Sequence, residues 1–443
     1  MISSDTTIYL STIALAIGFA GLTLLVPQKY FLFPFILASC FVPTDQRVIM
    51  MGLDFTVLRM LVAVGVARVF VYGEYRPLKL NAIDRLLLAW ALCGAVVYSI
   101  QQRNTEAMIN RAGVLFNTLG LYWLFRQNIA TWSGIKQTFA CFAVCAILML
   151  PFVLIEWSTG SNPFVFLGKV ITSVREEKLR CQAAFPHSIM MGLFWTILAP
   201  VFLALGRTEK RRMLYGGAFA ASVVIIMASA SSTPILVFLV TVAVFGAFGW
   251  RRYTSVAAWA LVGMAVALHI VMNAPVWHLL ARINVIGGST GWHRYNLIDK
   301  AVRNFSEWMV IGCCSTDHWG FYLGDVTNQY VLEGVRGGAI TLVLFLVMIY
   351  AVLKTLLRSS LNCRDREGRL VIWALFAMMC AHCIGFIGVS YFGQITILWY
   401  LTLAAAALLA DRQGVTGRRA TSRETSNGGT HSCKVRCRRF QTA

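Results

Sequence analysis

The chain has 443 residues, of which 58% are hydrophobic and only 13% are charged, and its mean hydropathy is +0.67. No water-soluble globular domain carries such a composition on its surface, so the sequence predicts a polytopic membrane protein. The net charge of +20 would suit nucleic acid, but the basic residues lie in segments between apolar ones. That distribution is typical of membrane topology, and no nucleic-acid partner is expected.

Apolar segments long enough to cross a bilayer follow one another along most of the chain. A helix needs roughly 17 to 25 apolar residues to do so. Twelve candidate segments of about this length can be identified, some a few residues shorter or longer, with a short thirteenth candidate at 30–42. They lie near residues 8–26, 51–71, 86–100, 112–125, 138–156, 189–206, 213–230, 233–250, 256–273, 327–353, 370–389 and 392–410. The predicted fold class is an all-α polytopic membrane protein with 12–13 transmembrane helices in one domain, residues 1–410, without a cleavable signal peptide.

The basic residues indicate which way the chain lies in the membrane. When the loops are assigned alternately to the two sides, one side receives 25 of the 39 Lys and Arg residues, including those of the C-terminal tail. The positive-inside rule makes this side cytoplasmic, so the two longest loops, residues 157–188 and 274–326, face outwards. The tail, residues 411–443, is predicted to be disordered, with its basic residues against anionic membrane lipid.

Polar side chains that could carry chemistry gather in the two outer loops and beside them. The first loop begins at Glu156 and re-enters the membrane past Arg180 and His187. On the same side the turn SASSTP, residues 229–234, joins two spans with small hydroxyl residues and Pro. The second loop and the span after it contain the remaining candidates, namely Arg282, Arg294, Arg303, His318, Asp325, Asn328 and Tyr330. Structural interpretations compete, because an Arg at a span boundary can anchor a helix and a single His is more often packed than catalytic.

Residues 291–305 of the second outer loop have the periodicity of an amphipathic helix. Its predicted apolar face comprises Trp292, Tyr295, Ile298, Ala301, Val302 and Phe305. Arg294 projects from the middle of that face, whereas Arg303 lies on the polar face, where a solvated charge is the default. Because burying an unpaired guanidinium is costly, Arg294 requires a partner, either a protein carboxylate or a ligand.

No metal, nucleotide or other cofactor site is predicted. The sequence has no apparent Walker-type phosphate loop, and its metal-ligating residue types lack convincing spacing. Cys181 in the first outer loop and Cys313 or Cys314 in the second could form a disulfide if the compartment is oxidising. Within the membrane, Asp54 and Arg59 are expected to pair.

The order of these polar segments resembles the O-antigen polymerase and ligase superfamily, multispanning bacterial proteins that act on lipid-linked sugars. The resemblance covers about residues 157–350. The matching residues are RCQAAFPHSIMMG (Arg180 to Gly192) for an Arg followed by Phe-x-His-x-x-x-x-Gly, Ser231 to Pro234 for a Ser-Arg-Gly-Pro-like turn, Arg294, Trp308 and Gly312 for an outer-loop Arg with a following aromatic residue and Gly, and Thr327, Asn328, Gln329, Tyr330 and Gly338 for a His-Asn-x-Tyr segment leading to a Gly. Thr327 stands where ligases that transfer O-antigen to a lipid A core have a His, which favours the polymerases.

The resemblance implies the all-helical GT-C type of membrane glycosyltransferase in the bacterial inner membrane. Its donor would be an undecaprenyl diphosphate-linked oligosaccharide and its acceptor a glycan, with other polysaccharide export components as further partners. The implied reaction is polymerisation of lipid-linked repeat units at the outer face. No metal is expected, since fixed guanidinium groups stabilise a diphosphate leaving group.

The resemblance also implies roles for the candidate residues. Arg180 and Arg294 are expected to stabilise the leaving group, and Arg282 and Arg303 to guide the anionic substrate. The candidates for the base that acts on the acceptor hydroxyl are Asp325, His318, His187 and Glu156, and those for substrate binding include Asn328 and Tyr330.

Two alternative functions stay open. A ligase would transfer finished glycan to a lipid or protein acceptor by the same chemistry. A transporter of the lipid-linked intermediate would show inverted repeats and charges near mid-membrane, whereas the charges here gather at the outer boundary, which favours an enzyme.

The charge distribution makes topology directly testable. Reporters fused after Arg212 and after Arg369 should report a cytoplasmic location, and reporters within 165–175 or 284–290 an outer location. A cytoplasmic location for the 274–326 loop would contradict the assignment of the candidate residues to the outer face.

Overall fold

A computed structural model of the chain describes residues 10–43, 47–50, 53–168, 172–175, 177–282 and 291–426. The chain is 79% helical. Its α-helices are α1 (Leu10–Leu25), α2 (Phe33–Phe41), α3 (Val57–Val71), α4 (Ala82–Gln102), α5 (Thr105–Asn128), α6 (Trp132–Thr159), α7 (Ser188–Thr208), α8 (Arg212–Ala228), α9 (Ser232–Gly246), α10 (Thr254–Val271), α11 (Gly291–Arg303), α12 (Phe305–Trp308), α13 (Gln329–Asn362), α14 (Arg366–Gly388) and α15 (Ile395–Ser426). Two antiparallel hairpins pair β1 (Arg47–Met50) with β2 (Leu53–Thr56) and β3 (Ser173–Arg175) with β4 (Lys178–Arg180).

Each predicted span contains an α-helix, although within the span at 51–71 the chain first forms β2 and α3 begins only at Val57. The nearly all-α polytopic architecture is confirmed. Within the described ranges, seven helical segments are long and apolar enough to cross a membrane. They are Ala82–Gln102, Trp132–Thr159, Ser188–Thr208, Ser232–Val271, Gln329–Asn362, Arg366–Gly388 and Ile395–Gln413. The thirteenth candidate, 30–42, contains only the nine-residue α2. The full number of 12–13 spans stays a prediction.

Segments that the charge pattern assigned to one side of the membrane lie together at one end of the bundle. At that end Arg126 of α5 forms ion pairs with Asp84 of α4 and with Asp411 of α15, each at 2.9 Å. Lys136 at the start of α6 pairs with Glu209 just after α7 at 2.6 Å. The predicted alternation of loops therefore agrees with the fold, and the orientation relative to the cytoplasm stays a prediction.

The opposite end of the bundle includes the start of α7, a helix most of whose side chains are buried. α7 packs against α8, α9 and α14, and α13 packs against α4 and α14. At Gly192 a Cβ atom would lie 2.7 Å from Pro234 and 2.8 Å from Ser229 Oγ. Only glycine therefore lets the first turns of α7 approach the turn before α9 this closely.

A break in α13 docks the second outer loop onto the bundle. Gly338 has φ +69° inside the helix, a conformation that L residues rarely adopt, and a Cβ there would lie 2.3 Å from the carbonyl oxygen of Val310. Beside this break, the loop's Met309 carbonyl accepts from Ala339 N at 2.8 Å, and its Cys313 N donates to the Val335 carbonyl at the same distance. The loop is thus bonded to α13 by its backbone.

Some sequence expectations differ from the structure or fall outside it. The helical backbone of α15 continues to Ser426 instead of ending at the predicted tail boundary near residue 411. Residues 283–290 and 427–443, and the side chain of Asp54, which was expected to pair with Arg59, lie outside the described part. Cys181, Cys313 and Cys314 are unbonded thiols.

The buried ion pair between α4 and α5 should be a main contributor to stability. Asp84 accepts hydrogen bonds from Arg126 Nε at 2.9 Å and from the Tyr122 hydroxyl at 2.5 Å. Asp84→Ala leaves a buried guanidinium with one partner fewer, and we expect a loss of about 3 to 5 kcal/mol in the free energy of unfolding. Thermal unfolding of the purified protein in detergent measures it. The matched control, Glu209→Gln in the half-exposed pair with Lys136, should cost at most about 1 kcal/mol; equal effects would show that burial of the Asp84 pair is not decisive.

Candidate functional site

Two arginines from the two outer loops converge on the short turn between α8 and α9. Arg180, the last residue of β4, donates from Nη2 to Ser231 Oγ at 2.6 Å. Arg294 of α11 donates from Nη2 to Thr233 Oγ1 at 2.8 Å and from Nε to the Gly388 carbonyl at 3.2 Å. Two segments far apart in the sequence thus place guanidinium groups beside the same three-residue stretch.

The cluster carries an excess of positive charge. Among the described residues, no carboxylate forms an ion pair with Arg180 or Arg294. Burial lowers the pKa of Arg294 to about 10, and the nearby guanidinium groups of Arg175 and Arg180 act in the same direction. The pKa of Arg180 is lowered by burial and by Arg175. Because the guanidinium groups of Arg180 and Arg294 keep their charge at neutral pH, the site is suited to binding an anion.

The turn that receives the two arginines is built from small residues. Ala230 has φ +41°, and Ser231 Oγ donates to the Ser229 carbonyl at 2.9 Å, which closes the turn on itself. At Gly388, the last residue of α14, a Cβ would lie 2.6 Å from the Thr233 side chain and 3.6 Å from Arg294 Nε. The glycine therefore leaves the space through which the Arg294 guanidinium reaches its backbone partner.

Glu156 supports the first outer loop instead of facing a substrate as expected. Its side chain is completely buried at the end of α6. The carboxylate accepts from Thr172 Oγ1 at 2.8 Å, from Gln182 N at 3.1 Å and from Ala183 N at 2.8 Å. These bonds hold both ends of the segment that contains the β3–β4 hairpin. Glu156 thus positions Arg180, and as a base for an acceptor hydroxyl it is wrongly placed, since its oxygens are occupied.

Three further candidates form hydrogen bonds with other groups of the protein. His187 is exposed at the start of α7 and accepts from Ile189 N through Nδ1 at 3.1 Å, as a helix cap. Asn328 caps α13 and donates from Nδ2 to the Ile387 carbonyl at 3.2 Å, next to Gly388. The Tyr330 hydroxyl donates to the Cys383 carbonyl at 2.9 Å. Asn328 therefore fixes the end of α14 that bonds Arg294, and Tyr330 ties α13 to α14.

The remaining candidates do not contact the arginine cluster. Arg303 pairs with Asp299 at 2.7 Å and has a side chain 69% exposed, as expected for a solvated charge. His318 pairs with Glu307 at 2.8 Å. Arg282 is exposed at the end of the 3-10 helix Val276–Arg282. Asp325 is exposed and lines a cavity of about 590 Å³ between α4, α13 and the second outer loop.

The amphipathic helix was predicted correctly, but the buried face differs from the predicted one. The side chains that α11 buries include Leu297 and Ala301, which lie three and seven residues after Arg294 and so on the same face. Trp292 and Val302 of the predicted apolar face are 62% and 52% exposed. Arg294 therefore lies on the buried face with Leu297 and Ala301, while Trp292 and Val302 of the predicted apolar face are exposed.

Sequence reasoning missed several charged residues. The positive charge of Arg175 in β3 contributes to lowering the pKa of Arg180 and of Arg294. Arg111 of α5 and Glu333 and Arg336 of α13 line a second cavity of about 160 Å³. For Glu333 and Arg336 the available signal was their position in an apolar segment, where ionisable residues are costly and frequently functional.

The chain matches no protein-family model, no curated protein and no solved structure. What the site binds is therefore inferred from its own charges and contacts.

Replacing Glu156 should disturb the anion site from a distance. Glu156→Gln removes one acceptor facing backbone N–H groups, so we expect the free energy of unfolding to fall by about 1 to 3 kcal/mol. Pyrophosphate serves as the anionic probe of the site. Its binding should weaken, because the segment carrying Arg175 and Arg180 loses the hydrogen bonds that hold it in place. Thermal unfolding and calorimetric titration of the purified protein measure the two effects. Glu106→Gln, at an exposed position at the start of α5, is the control and should change neither. Unchanged pyrophosphate affinity in Glu156→Gln would contradict the positioning role.

Proposed function

We propose that this chain is a metal-independent membrane glycosyltransferase that polymerises undecaprenyl diphosphate-linked oligosaccharide repeat units into a surface or exopolysaccharide. The observation that carries the proposal is the cluster of Arg175, Arg180 and Arg294, whose members come from both outer loops. Among the described residues, no carboxylate pairs with the two arginines that hold the turn. A cluster of that kind suits a ligand with more than one negative charge, and a diphosphate is such a ligand.

The proposed reaction uses this charge at the step where the glycosidic phosphate bond breaks. The acceptor hydroxyl oxygen attacks C1 of the donor sugar, and the bond between C1 and the diphosphate oxygen breaks. The electron pair leaves with undecaprenyl diphosphate, and the hydroxyl proton passes to a base. Arg180 and Arg294 stabilise the leaving diphosphate, because their hydrogen-bonded guanidinium groups are already oriented before the charge develops.

Guanidinium groups can take the place that a divalent cation has in other diphosphate sites. The proposed enzyme therefore needs no added metal. Turnover of a lipid-linked donor by purified protein in excess chelator tests this part, and strict dependence on added magnesium or manganese would contradict it.

The acceptor base is proposed to be Asp325. Of the four expected candidates, Glu156 has its oxygens occupied, His187 caps a helix and His318 is paired with Glu307. Asp325 lines the 590 Å³ cavity, whose wall also includes Ser390 and Tyr391, shortly after the Gly388 carbonyl that binds Arg294. A hydroxyl bound in this cavity would lie next to the segment that holds the arginine.

Polymerase, ligase and transporter functions leave different products in cells. Deleting the gene and analysing lipid-linked and surface glycans together separates them: single lipid-linked repeats on the outer face indicate a lost polymerase, unattached long chains a lost ligase, and repeats trapped inside a lost transporter. Thr327, in place of the ligase His, favours the first outcome. Either other outcome would overturn the proposal.

Arg294 and Arg303 offer a matched pair of substitutions on one helix. Arg294→Lys keeps the charge but loses the planar, two-pronged hydrogen bonding to Thr233 and Gly388, so glycan formation should fall about tenfold or more, for roughly 1 to 3 kcal/mol of charge-assisted contact. Arg303→Lys, on the exposed side, should be nearly silent. Glycan formation in the deletion strain, with each variant at matched membrane abundance, is the measurement. Full activity of both Arg294→Lys and Arg294→Ala would remove Arg294 from the catalytic site.

A further inference from the structure

Two adjoining polar cavities lie on the α4–α5 side of α13, apart from the arginine cluster. The outer cavity, about 590 Å³, is lined by side chains of α4, the second outer loop and α13. The inner cavity, about 160 Å³, lies between α4, α5, α13 and α15. Leu332, Arg336 and Tyr391 line both, so the two cavities share a wall. Together they extend from the outer loops in between the helices.

The inner cavity has an excess of positive charge. Arg111 and Arg336 line it, and Glu333 is the one carboxylate among its described lining residues. Glu333 interacts electrostatically with both arginines, but its oxygens accept from Trp90 Nε1 at 2.8 Å and from Gln329 Nε2 at 2.7 Å. Neither arginine forms an ion pair with a carboxylate within the described ranges.

Uncompensated guanidinium charge is expensive between apolar helices. Arg111 is half-buried and lies over the Tyr98 ring at 5.2 Å, and Arg336 is exposed toward the cavities. One carboxylate can offset only one of the two positive charges. An anionic group bound between the arginines would supply the missing negative charge.

One short segment separates this cavity from the arginine cluster at the turn before α9. On one side the Gly388 carbonyl accepts from Arg294. Tyr391, three residues later, donates its backbone N–H to Gln329 Oε1 at 2.7 Å, and Gln329 in turn donates to Glu333. The two cationic sites are thus linked through the short segment 388–391 and the hydrogen bonds that its residues form.

We propose that Arg111 and Arg336 bind the diphosphate of a second lipid-linked saccharide, which serves as the acceptor. This inference rests on the proposed polymerase function: joining two lipid-linked units brings two diphosphates to one enzyme, and each needs cations of its own. The cluster at Arg180 and Arg294 holds the donor diphosphate, and the α5–α13 arginines hold the acceptor diphosphate.

The outer cavity provides the surroundings that the acceptor sugar requires. Its lining includes the carboxylates of Asp317 and Asp325 and the amide of Gln102, groups that can form hydrogen bonds with sugar hydroxyls. Phe392 adds an aromatic surface. A volume of about 590 Å³ falls within the range of about 300 to 1,000 Å³ that small-molecule sites occupy. A saccharide in this cavity would have its lipid-linked end near Arg336, which lines both cavities.

The test compares two acceptors that differ only in their diphosphate lipid. The donor in both arms is the lipid-linked repeat unit extracted from the gene-deletion strain. In the first arm the same lipid-linked unit is the acceptor, and polymer is measured. In the second arm the acceptor is the free oligosaccharide, released from that unit by mild acid and labelled at its reducing end. Because the donor is the same in both arms, the ratio of the two rates measures how much the diphosphate of the acceptor contributes to the reaction.

The key variant is Arg336→Gln, since this side chain is exposed in the cavities and its loss should not disturb folding. We expect polymer formation from the lipid-linked acceptor to fall about tenfold and transfer to the labelled oligosaccharide to stay within twofold. Arg336→Lys should recover part of the first rate. Arg358→Gln, an exposed arginine near the other end of α13, is the matched control and should change neither rate.

Other results would overturn the inference. Equal loss in both arms would show that Arg336 binds an anionic group of the saccharide itself, such as a carboxylate, and not the diphosphate. Unchanged rates in both arms would show that no acceptor group binds there. If the wild-type protein forms neither product, the proposed polymerase function fails, and this outcome is distinct because it does not depend on the Arg336 variants.

Discussion

The candidate site depends on guanidinium groups that the described part of the fold buries without giving them a carboxylate. The contrast with the other end of the bundle is direct. There, Arg68 pairs with Glu74 and Arg126 pairs with Asp84, each at 2.9 Å, and all four side chains are largely buried. Arg180 and Arg294 are held instead by hydroxyl and carbonyl oxygens, which accept hydrogen bonds but bring no full negative charge. In those pairs the protein itself neutralises a buried guanidinium group, whereas no carboxylate of the described residues pairs with Arg180 or Arg294.

Close approach of backbone segments makes this arrangement geometrically possible. Gly192 lets α7 lie against the turn before α9, and Gly388 leaves room beside Thr233 and Arg294. Gly338, at the break in α13, lets the second outer loop bond to the helix through its backbone. These glycines occupy positions where any side chain would collide with main-chain or turn atoms, so each acts by allowing contact. The oxygens that accept from the arginines lie in the turn before α9 and at the end of α14, so the packing of these segments sets the orientation of both guanidinium groups.

A network of ordinary hydrogen bonds links the two cationic sites. Glu156 fixes the segment that leads to Arg180, and Asn328 fixes the end of α14 at Gly388. Gln329 connects the segment after α14 to Glu333 inside the bundle. Several residues that the sequence suggested as binding or catalytic thus support the groups that carry the charge. Their residue types fit this role, because carboxylates and amides can accept or donate several bonds to backbone groups at once.

The sequence by itself determined the class of the protein and the positions of its apolar helices, and it singled out Arg180 and Arg294 as candidates, which the structure brings to the same turn. Hydropathy and charge are local properties, and roughly 17 to 25 apolar residues or an arginine among apolar neighbours can be recognised without knowing the fold. The sequence could not decide which face of α11 is buried, since its periodicity shows that two faces exist but not which one meets a neighbour. It also could not show that the Glu156 carboxylate accepts hydrogen bonds from backbone N–H groups. Nor could it show that Arg111 and Arg336, which lie far apart along the chain, line the same cavity. Those facts depend on long-range packing between helices, and only the tertiary structure decided them.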